Sequence, residues 1–489
     1  MPRRRFLRGI VFMGYVKGES PGQSSLFPPS LDELVPEDHP VRVIEAFVGA
    51  LDLGELGFER AEAGVMGRPA YDPADLLKLY LYGYLNRVRS SRRLERECRR
   101  NVEVMWLLGK LAPDFKTIAD FRRRNSQAFV QVCRAFVRFC AKAQLLGGEL
   151  VAIDGSKFEA ASSKRAVVTR RALAEESRRL EARIAQYLKS LDESDREERE
   201  EPINRQAVAA AIDELRARKA DTDTAAQLLE ELGDTQHVSG EPQARLMRTA
   251  HGKAVAYNVQ SAVDAKHGLI VHHEVTNAGT DNAQLEPTAK AAQEALGGGP
   301  LSIVADAGYS NGTQFEACEQ ASLTPFVPLN RAPLHAGGAY FGTARFRYDA
   351  SSDAYRCPAG KILALKQVNR GAMCRIYAAR AEDCAACPIK SGCTGAKQRY
   401  IQRHWHEAAF ERMQKRLALA PEMMSRRRSL AEHPFAQIKY DVMGDRGRML
   451  LRNLRGARTE MALAVLARNL KRVIAILGTR NLVDRLSAG

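Results

Sequence analysis

The segment LVAIDGS at residues 150–156 decides the fold prediction, because four apolar residues lead directly into an acid that is followed by glycine. A short apolar run of this kind is typical of a buried β-strand. The segment IVADAGY at residues 303–309 repeats the pattern. A carboxylate at the carboxyl end of a strand faces the crevice where binding sites form in α/β sheets. We therefore predict two strands, ending at Asp154 and Asp306.

A third acid lies in the segment RSLAEHPFAQIK at residues 428–439. Glu432 follows Arg428 by four residues and precedes Lys439 by seven, so the three side chains share one face of a regular helix. That face would present one metal ligand between two phosphate-binding cations. An ordinary ion pair within an exposed helix is the alternative for Glu432, as a turn-stabilising role is for each aspartate.

Hard oxygen ligands that converge on two Mg²⁺ or Mn²⁺ ions, about 3.5–4 Å apart, are what metal-assisted phosphoryl transfer requires. Asp154, Asp306 and Glu432 are the predicted ligands. Asp264 and Asp281 are rival acids in the same region, but neither ends an apolar strand with the same glycine pattern.

The net charge of the 489-residue chain is +16. Such an excess indicates a polyanionic partner, most often nucleic acid, or a basic surface kept for solubility. The charge is concentrated in residues 87–124 and 421–472, each with twelve Lys and Arg against five Asp and Glu. This clustering favours a DNA-binding groove. In the first window we predict DNA contacts from four arginines: Arg92, Arg93, Arg122 and Arg123.

Helical signals dominate residues 1–148. Asp72 and Pro73 are typical of a helix start, Ser90 starts a second helix that runs to about residue 108, and Asp114 starts a third that runs to about residue 146. Three helices with short turns, of which the second and third are basic, predict a helix-turn-helix-like DNA-binding domain.

The order of apolar strand-like and helix-like segments in residues 149–489 predicts an α/β domain with a mixed sheet. After the first strand, further strands are expected at residues 254–263, 269–275, 301–305 and 326–329, with helices at residues 284–296 and after Asn311. A helical hairpin is expected as an insertion at about 160–235, and a cysteine-bearing insertion at about 341–400. Two final helices are expected at residues 425–439 and 459–477.

The cysteine-bearing insertion contains Cys357, Cys384, Cys387 and Cys393. Four thiolates suit a tetrahedral structural Zn²⁺, and free thiols are the alternative. Elsewhere, the apolar run at residues 461–477 is interrupted by three basic residues, so no membrane span is expected. The basic opening at residues 2–5 is followed by no cleavage site of a signal peptide, and a cytoplasmic location is expected.

Taken together, these segments resemble the bacterial insertion-sequence transposases of the DDE type, and the similarity covers nearly the whole chain. Its N-terminal part consists of SLDELVP at 30–36, GRPAYDP at 67–73, YGY at 82–84, RSSRRLE at 89–95 and TIADFR at 117–122. Its core part consists of AIDG at 152–155, YNVQ at 257–260, ADAGY at 305–309, EHPF at 432–435 with Lys439, and ARNLKR at 467–472.

The resemblance implies an RNase H-like catalytic core in which Asp154, Asp306 and Glu432 bind the metal ions, with Arg428 and Lys439 as basic partners of the glutamate. Related families often carry a tyrosine three residues before that arginine, where this chain has Ser425. The implied substrates are the terminal inverted repeats of the element and a target DNA, and a homodimer would act on the two ends. A nuclease of the same fold that only hydrolyses DNA, and a non-catalytic DNA-binding descendant of a transposase, are the alternatives.

Overall fold

The computed structural model describes residues 26, 28–62, 69–196, 205–231, 233, 236–329 and 340–488, and for residues 191–196, 205 and 432 it describes the backbone alone. The basic opening at residues 2–5 and the first two residues of the GRPAYDP segment therefore lie outside the described residues. Where residues are described, no helix combines the length and apolar character needed to cross a membrane.

In the N-terminal part, the described residues form six helices: α1 (Val41–Gly49), α2 (Pro73–Leu85), α3 (Ser91–Arg100), α4 (Val102–Leu107), α5 (Phe115–Arg124) and α6 (Ser126–Lys142). The predicted start of α2 is confirmed, because the Asp72 carboxylate accepts a hydrogen bond from the Ala74 amide and proline occupies the first helical position. The predicted start of α5 is confirmed in the same way, since Asp114 accepts from the Lys116 and Thr117 amides.

Two of the three predicted N-terminal helices are broken by asparagine. Asn101 is extended between α3 and α4, and its side-chain oxygen accepts hydrogen bonds from the Glu103 and Val104 amides. Asn125 separates α5 from α6, and its side-chain oxygen accepts from the Glu59 amide. A short polar side chain that binds backbone amides competes with the helix, which explains why continuous helices were wrong at both places.

The central sheet is mixed, as predicted. It contains β1 (Leu150–Glu159), β4 (Arg245–Thr249), β5 (Gly252–Asp264), β6 (Ile270–Thr276), β7 (Leu301–Val304) and β8 (Leu323–Phe326). Strands β2 (Val167–Thr169) and β3 (Gln236–Val238) form a separate two-stranded sheet. Its order is β4-β5-β1-β7-β8, with β6 also paired to β5. Strands β1, β7 and β8 are parallel, whereas β5 runs antiparallel to β1, β4 and β6.

Two of the predicted strands, β1 and β8, differ from the prediction by more than two residues at a boundary. Strand β1 does not end at Asp154 but continues to Glu159, because β5 pairs with it along that whole length. On its other side β1 pairs with β7 only over residues 150–152, so that side is open from Asp154 onward. Strand β8 begins at Leu323, three residues before the predicted start, since Pro325 is tolerated in a strand at the sheet edge.

Helices α9 (Leu285–Ala295) and α10 (Gly312–Gln320) connect β6 to β7 and β7 to β8. Between β2 and β3 lie the long helices α7 (Arg170–Arg196) and α8 (Arg205–Glu231). They are antiparallel, because the Arg170 guanidinium at the start of α7 donates to the Leu229 carbonyl near the end of α8. The Ser177 hydroxyl donates to Asp223 further along the same contact.

A second sheet, absent from the sequence prediction, follows β8. It consists of β9 (Arg347–Asp349), β10 (Ala354–Arg356), β11 (Ile362–Asn369), β12 (Cys374–Ala378) and β13 (Tyr400–His404), all antiparallel, with the short helix α11 (Ala381–Ala385) before the last strand. The strands pack around a small core that contains Tyr355, Leu363, Tyr377 and Ile401.

The C-terminal part consists of α12 (Glu407–Leu419), α13 (Glu422–Ala436), a π-helical segment (Gln437–Val442), α14 (Asn453–Leu477) and α15 (Thr479–Ser487). Helix α13 packs on β1, β5 and β7, and α14 packs on α2, α6 and β6. One hydrophobic core runs from Phe47 and Tyr80 in the N-terminal helices through Met461 to Val263 in the sheet. The N-terminal helices are thus packed directly onto the α/β core.

Candidate active site

Asp154 and Asp306 project from neighbouring parallel strands on the side of the sheet that α13 covers. Alternate residues of a strand face the same side. Leu150 and Ala152 of β1 pack with Val304 of β7 against Ala431 of α13, so Asp154, two residues after Ala152, lies on this side. The two predicted acids therefore meet beside α13.

Between the two carboxylates lies Arg427, which the sequence analysis missed. One of its guanidinium nitrogens, Nη2, is 3.8 Å from Asp154 Oδ1 and 3.8 Å from Asp306 Oδ2. The signal that could have identified it is the apolar face of α13, because Ala431 and Phe435, four and eight residues later, are both buried. The sequence analysis chose Arg428 as the basic partner instead, because it lies four residues before Glu432, but Arg428 is exposed.

The environments of the two carboxylates differ. Asp154 is 17% exposed, and burial raises its pKa to about 6, against the opposing effects of Arg427 and of the Gly155 amide, which donates to it at 2.9 Å. Asp306 is 44% exposed and caps the short 3₁₀ turn that follows it, accepting from the Gly308 amide at 2.8 Å. The negative charges of Asp306 and Asp281 add to the rise in the pKa of Asp154.

The backbone of Glu432 lies in α13, next to the buried Ala431. The Glu432 side chain lies outside the described part of the structure. The predicted helix does continue to Lys439, but residues 437–442 are π-helical rather than regular α-helix. The Lys439 ammonium donates to the Ser156 hydroxyl at 2.7 Å and to the Lys157 carbonyl at 3.1 Å, beside Asp154 on β1. Burial lowers the pKa of Lys439.

Asp281, ranked below the triad from sequence, lies next to the acidic pair. Its Oδ1 accepts hydrogen bonds from Asn258 at 2.7 Å, from Gln260 at 2.8 Å and from the Lys157 ammonium at 3.1 Å. A Cβ atom on Gly155 would be 2.6 Å from that same oxygen, so glycine is required for this close approach. The YNVQ segment, noted only as part of a resemblance, thus supplies two buried amides to the site.

The other rival acid, Asp264, has a structural role. Its carboxylate accepts hydrogen bonds from the Gly147, Gly148 and Lys266 amides, which ties the loop before β1 to the end of β5.

The four cysteines of the predicted zinc site line one small cavity in the second sheet domain: Cys357, Cys384, Cys387 and Cys393. All four are free thiols. Burial raises the pKa of Cys393, Arg399 opposes that rise, and the charges of the other three sulfurs add to it. Within the described ranges, no three or more His, Cys, Asp or Glu side chains adopt an arrangement that could hold a metal ion. The sulfurs share a cavity without converging on a point.

Three of the four arginines predicted to contact DNA are exposed: Arg92 and Arg93 on α3, and Arg123 on α5. Arg122 is not, since it is 8% exposed and its guanidinium lies 5.3 Å from the ring centroid of Tyr80. Arg122 therefore belongs to the core of the helical domain. The prediction that it contacts DNA phosphates at the surface is wrong, because it is buried.

Comparison with protein families identifies the class of protein that this architecture represents. A transposase domain (DUF772) matches residues 29–124, and a transposase DDE domain matches residues 234–470. The chain is a DDE-class transposase. It belongs to the transposases of insertion sequences, as the sequence motifs predicted. No curated protein and no solved structure matches it. Asp306 and Glu432 lie within the DDE match, and Asp154 lies between the two matches.

Proposed function

We propose that this protein catalyses metal-dependent cleavage of the ends of an insertion sequence and transfer of the freed strands to a target DNA. The observation that carries the proposal is the meeting of Asp154 and Asp306 around a single cation. Carboxylates that come together in this way on a basic DNA-binding protein are suited to hold hard divalent cations. Cytoplasmic action on DNA is part of the same proposal.

The topology of the sheet supports an RNase H-like core. Three antiparallel strands (β1, β5 and β6) precede two strands, β7 and β8, that lie parallel to β1, and the spatial order is β6-β5-β1-β7-β8. Helices connect the parallel strands, and the proposed catalytic acids lie where β7 ends and β1 loses its partner on that side. We propose that α7 and α8 form an insertion into this core, as the second sheet does.

In this proposal Asp154, Asp306 and Glu432 would hold two Mg²⁺ or Mn²⁺ ions. Asp154 and Asp306 supply hard oxygen ligands, and the contact with Arg427 indicates that a positive charge is favoured between them. Glu432 is the proposed third ligand, on the helix that packs over β1 and β7. Bound ions would activate the attacking oxygen and stabilise the leaving oxygen. Lys439 would hold β1 in place beside Asp154, while the exposed Arg428 would be available to a DNA phosphate.

Replacement of the third acid tests the mechanism. Glu432→Gln keeps the size of the side chain and removes its charge, so the variant should fold and bind the element ends but fail to nick them in Mg²⁺. We expect a loss of several orders of magnitude, since metal catalysis lowers the barrier by several kcal/mol. Asp154→Asn and Asp306→Asn should behave alike, and double variants should be little worse than single ones.

Glu422→Gln is the matched control, because Glu422 is an exposed acid in the first turn of the same helix. Its nicking rate should stay within about twofold of the original. Near-full cleavage by Glu432→Gln would remove Glu432 from the site, and Asp281 would then be the next residue to test, since it already adjoins Asp154.

Strand transfer separates the transposase from a nuclease of the same fold. A pre-cleaved element end with a free 3′-OH should be joined to a target duplex in Mg²⁺ by the protein, which we propose acts as a homodimer on the two ends. Hydrolysis without joined product would favour the nuclease, and binding without either product would favour the non-catalytic alternative.

Recognition of the element ends is assigned to the exposed arginines of α3 and α5. Replacing Arg92, Arg93 and Arg123 with Ala should weaken DNA binding and reduce the salt dependence by about one unit of slope per lost phosphate contact. The control triple variant removes the same charge from α7, where Arg171, Arg178 and Arg183 are exposed. An unchanged slope in the first variant would shift the DNA site toward residues 421–472.

The cavity shared by Cys357, Cys384, Cys387 and Cys393 supports a structural zinc site in the second sheet domain. Zinc would draw the thiolates into the tetrahedral arrangement that the free thiols do not adopt. We expect about one zinc per chain by elemental analysis. Cys384→Ser should lower that content, whereas the matched change Cys318→Ser, at a buried thiol outside this cavity, should leave it unchanged. A metal-free protein whose four thiols all react rapidly would contradict the site.

A further inference from the structure

Arg427 contacts both proposed metal ligands, although the catalytic motif does not include it. We propose that Arg427 is a positioning residue that takes the place of the divalent cations in the metal-free protein, and that it is displaced when they bind. The inference rests on the proposed function, because it requires Asp154 and Asp306 to be metal ligands.

The geometry of the contact is that of an ion pair without hydrogen bonds. Both Nη2–carboxylate distances are 3.8 Å, beyond the range of about 2.7–3.2 Å for an N–H···O hydrogen bond. The guanidinium Nε is buried, and no partner for it is found among the described residues. Arginine donors in stable buried pairs are normally satisfied, often by two parallel hydrogen bonds to one carboxylate. Among the described residues, the carboxylates of Asp154 and Asp306 therefore hold Arg427 by charge rather than by hydrogen bonds.

A cation at this position offsets the repulsion between acids that the fold forces together. Asp281 has its own cation, since the Lys157 ammonium is 3.1 Å from its Oδ1. Asp154 and Asp306 share Arg427, whose side chain is only 18% exposed.

Divalent cations and Arg427 compete for the same carboxylate oxygens. Mg²⁺ binds oxygen ligands at about 2.0–2.1 Å, so an ion held by both acids would lie in the space that the guanidinium faces. Like charges that close repel strongly in a partly buried site. Arg427 therefore leaves as the metal enters, and because its Nε has no hydrogen-bond partner among the described residues, that exchange is easier than the breaking of a fully bonded pair would be.

Metal affinity of the DNA-free protein tests the exchange without any activity measurement. Mn²⁺ binding, followed by electron paramagnetic resonance and calorimetry, should become about tenfold tighter in Arg427→Gln, because the competing charge is gone. Arg427→Ala should show the same gain, and Arg427→Lys, which keeps the charge, should stay near the original affinity. The control is Arg426→Gln, which removes one exposed charge from the adjacent position of α13 and should change the affinity by less than about twofold.

An unchanged or weaker Mn²⁺ affinity in both Arg427→Gln and Arg427→Ala would overturn the proposal and assign Arg427 a fixed role beside the bound metal. Asp154→Asn distinguishes this result from a failure of the proposed function. If Asp154→Asn also leaves Mn²⁺ binding unchanged, the acidic pair is not the metal site. If it abolishes binding while the Arg427 variants show no gain, the metal site stands and the exchange with Arg427 does not.

Discussion

Two arginine–carboxylate contacts in this protein have opposite characters. Arg89, just before α3, places Nη1 at 2.6 Å from Oε1 of Glu460 in α14, and the two residues are 6% and 0% exposed. The same nitrogen donates to the Arg448 carbonyl, and the second oxygen of Glu460 accepts from the Leu450 and Leu451 amides. This pair ties the N-terminal helices to the C-terminal helix of the core.

The contact of Arg427 with Asp154 and Asp306 is longer and more exposed, and the Arg427 Nε has no hydrogen-bond partner in the part of the chain that the structure describes. Buried charges are stable where each donor and acceptor has a partner, and costly where one is left unpaired. The difference indicates that the Arg89–Glu460 pair maintains the structure, whereas the Arg427 contact can be broken when metal ions bind to the acids.

The largest effect is expected from breaking the buried pair. Glu460→Gln keeps the shape of the side chain but leaves the Arg89 guanidinium buried without a counter-charge, which should lower the free energy of unfolding by about 3–5 kcal/mol. Urea denaturation measures the change. The double variant Arg89→Met with Glu460→Gln should recover part of the loss, because no unpaired charge remains. A single-variant loss below about 1 kcal/mol would mean that water reaches this pair.

A change of opposite sign is expected at the acidic site. The pKa of Asp154 in the folded protein is about 6, above its usual value of 3.8, so the folded state binds more protons between those pH values and stability falls as pH rises through that window. Asp154→Asn removes the ionisation and should stabilise the metal-free protein by roughly 2–3 kcal/mol above pH 6.

Thermal unfolding in a chelator at pH 4 to pH 8 measures this effect. The gain should disappear toward pH 4, where the aspartate is protonated in the folded state. Asp306→Asn is the comparison, since the Asp306 carboxylate is 44% exposed and its replacement should change the stability little. Destabilisation by Asp154→Asn at pH 8 would show that the contact with Arg427 outweighs the cost of burying the charge.

The smallest effect is expected at an exposed pair. Arg123 and Asp120 are 2.9 Å apart on α5, with side chains 75% and 47% exposed. Asp120→Ala should change the free energy of unfolding by less than about 0.5 kcal/mol, because water and salt screen exposed ion pairs. Urea denaturation at low and high salt measures this change. A loss above about 1 kcal/mol would show that distance rather than burial determines how much the three ion pairs stabilise the protein.

Much of the fold could be predicted because its signals are local. Asp72 and Asp114 cap helices through amides two or three residues away, and the turn at residues 266–268 joins β5 to β6. The second sheet was missed because its strands are mostly three to five residues long and its longest, β11, is largely exposed. Strands that short carry too few alternations to be recognised without their partners.

The sequence by itself determined the class of protein and predicted the two acids that meet beside α13, because one apolar run leads into Asp154 and Gly155 and another leads into Asp306, Ala307 and Gly308. Only the tertiary structure decided which cation meets them. The spacing from Glu432 selected Arg428, but α13 packs on the sheet through the face of Ala431, which turns Arg427 inward and leaves Arg428 exposed. Packing likewise buried Arg122 and brought Asp281 beside Asp154. The contacts of Arg427 with the two acids and of Asp281 with Asp154 join residues more than a hundred positions apart, and only the packing of strands and helices sets their distances.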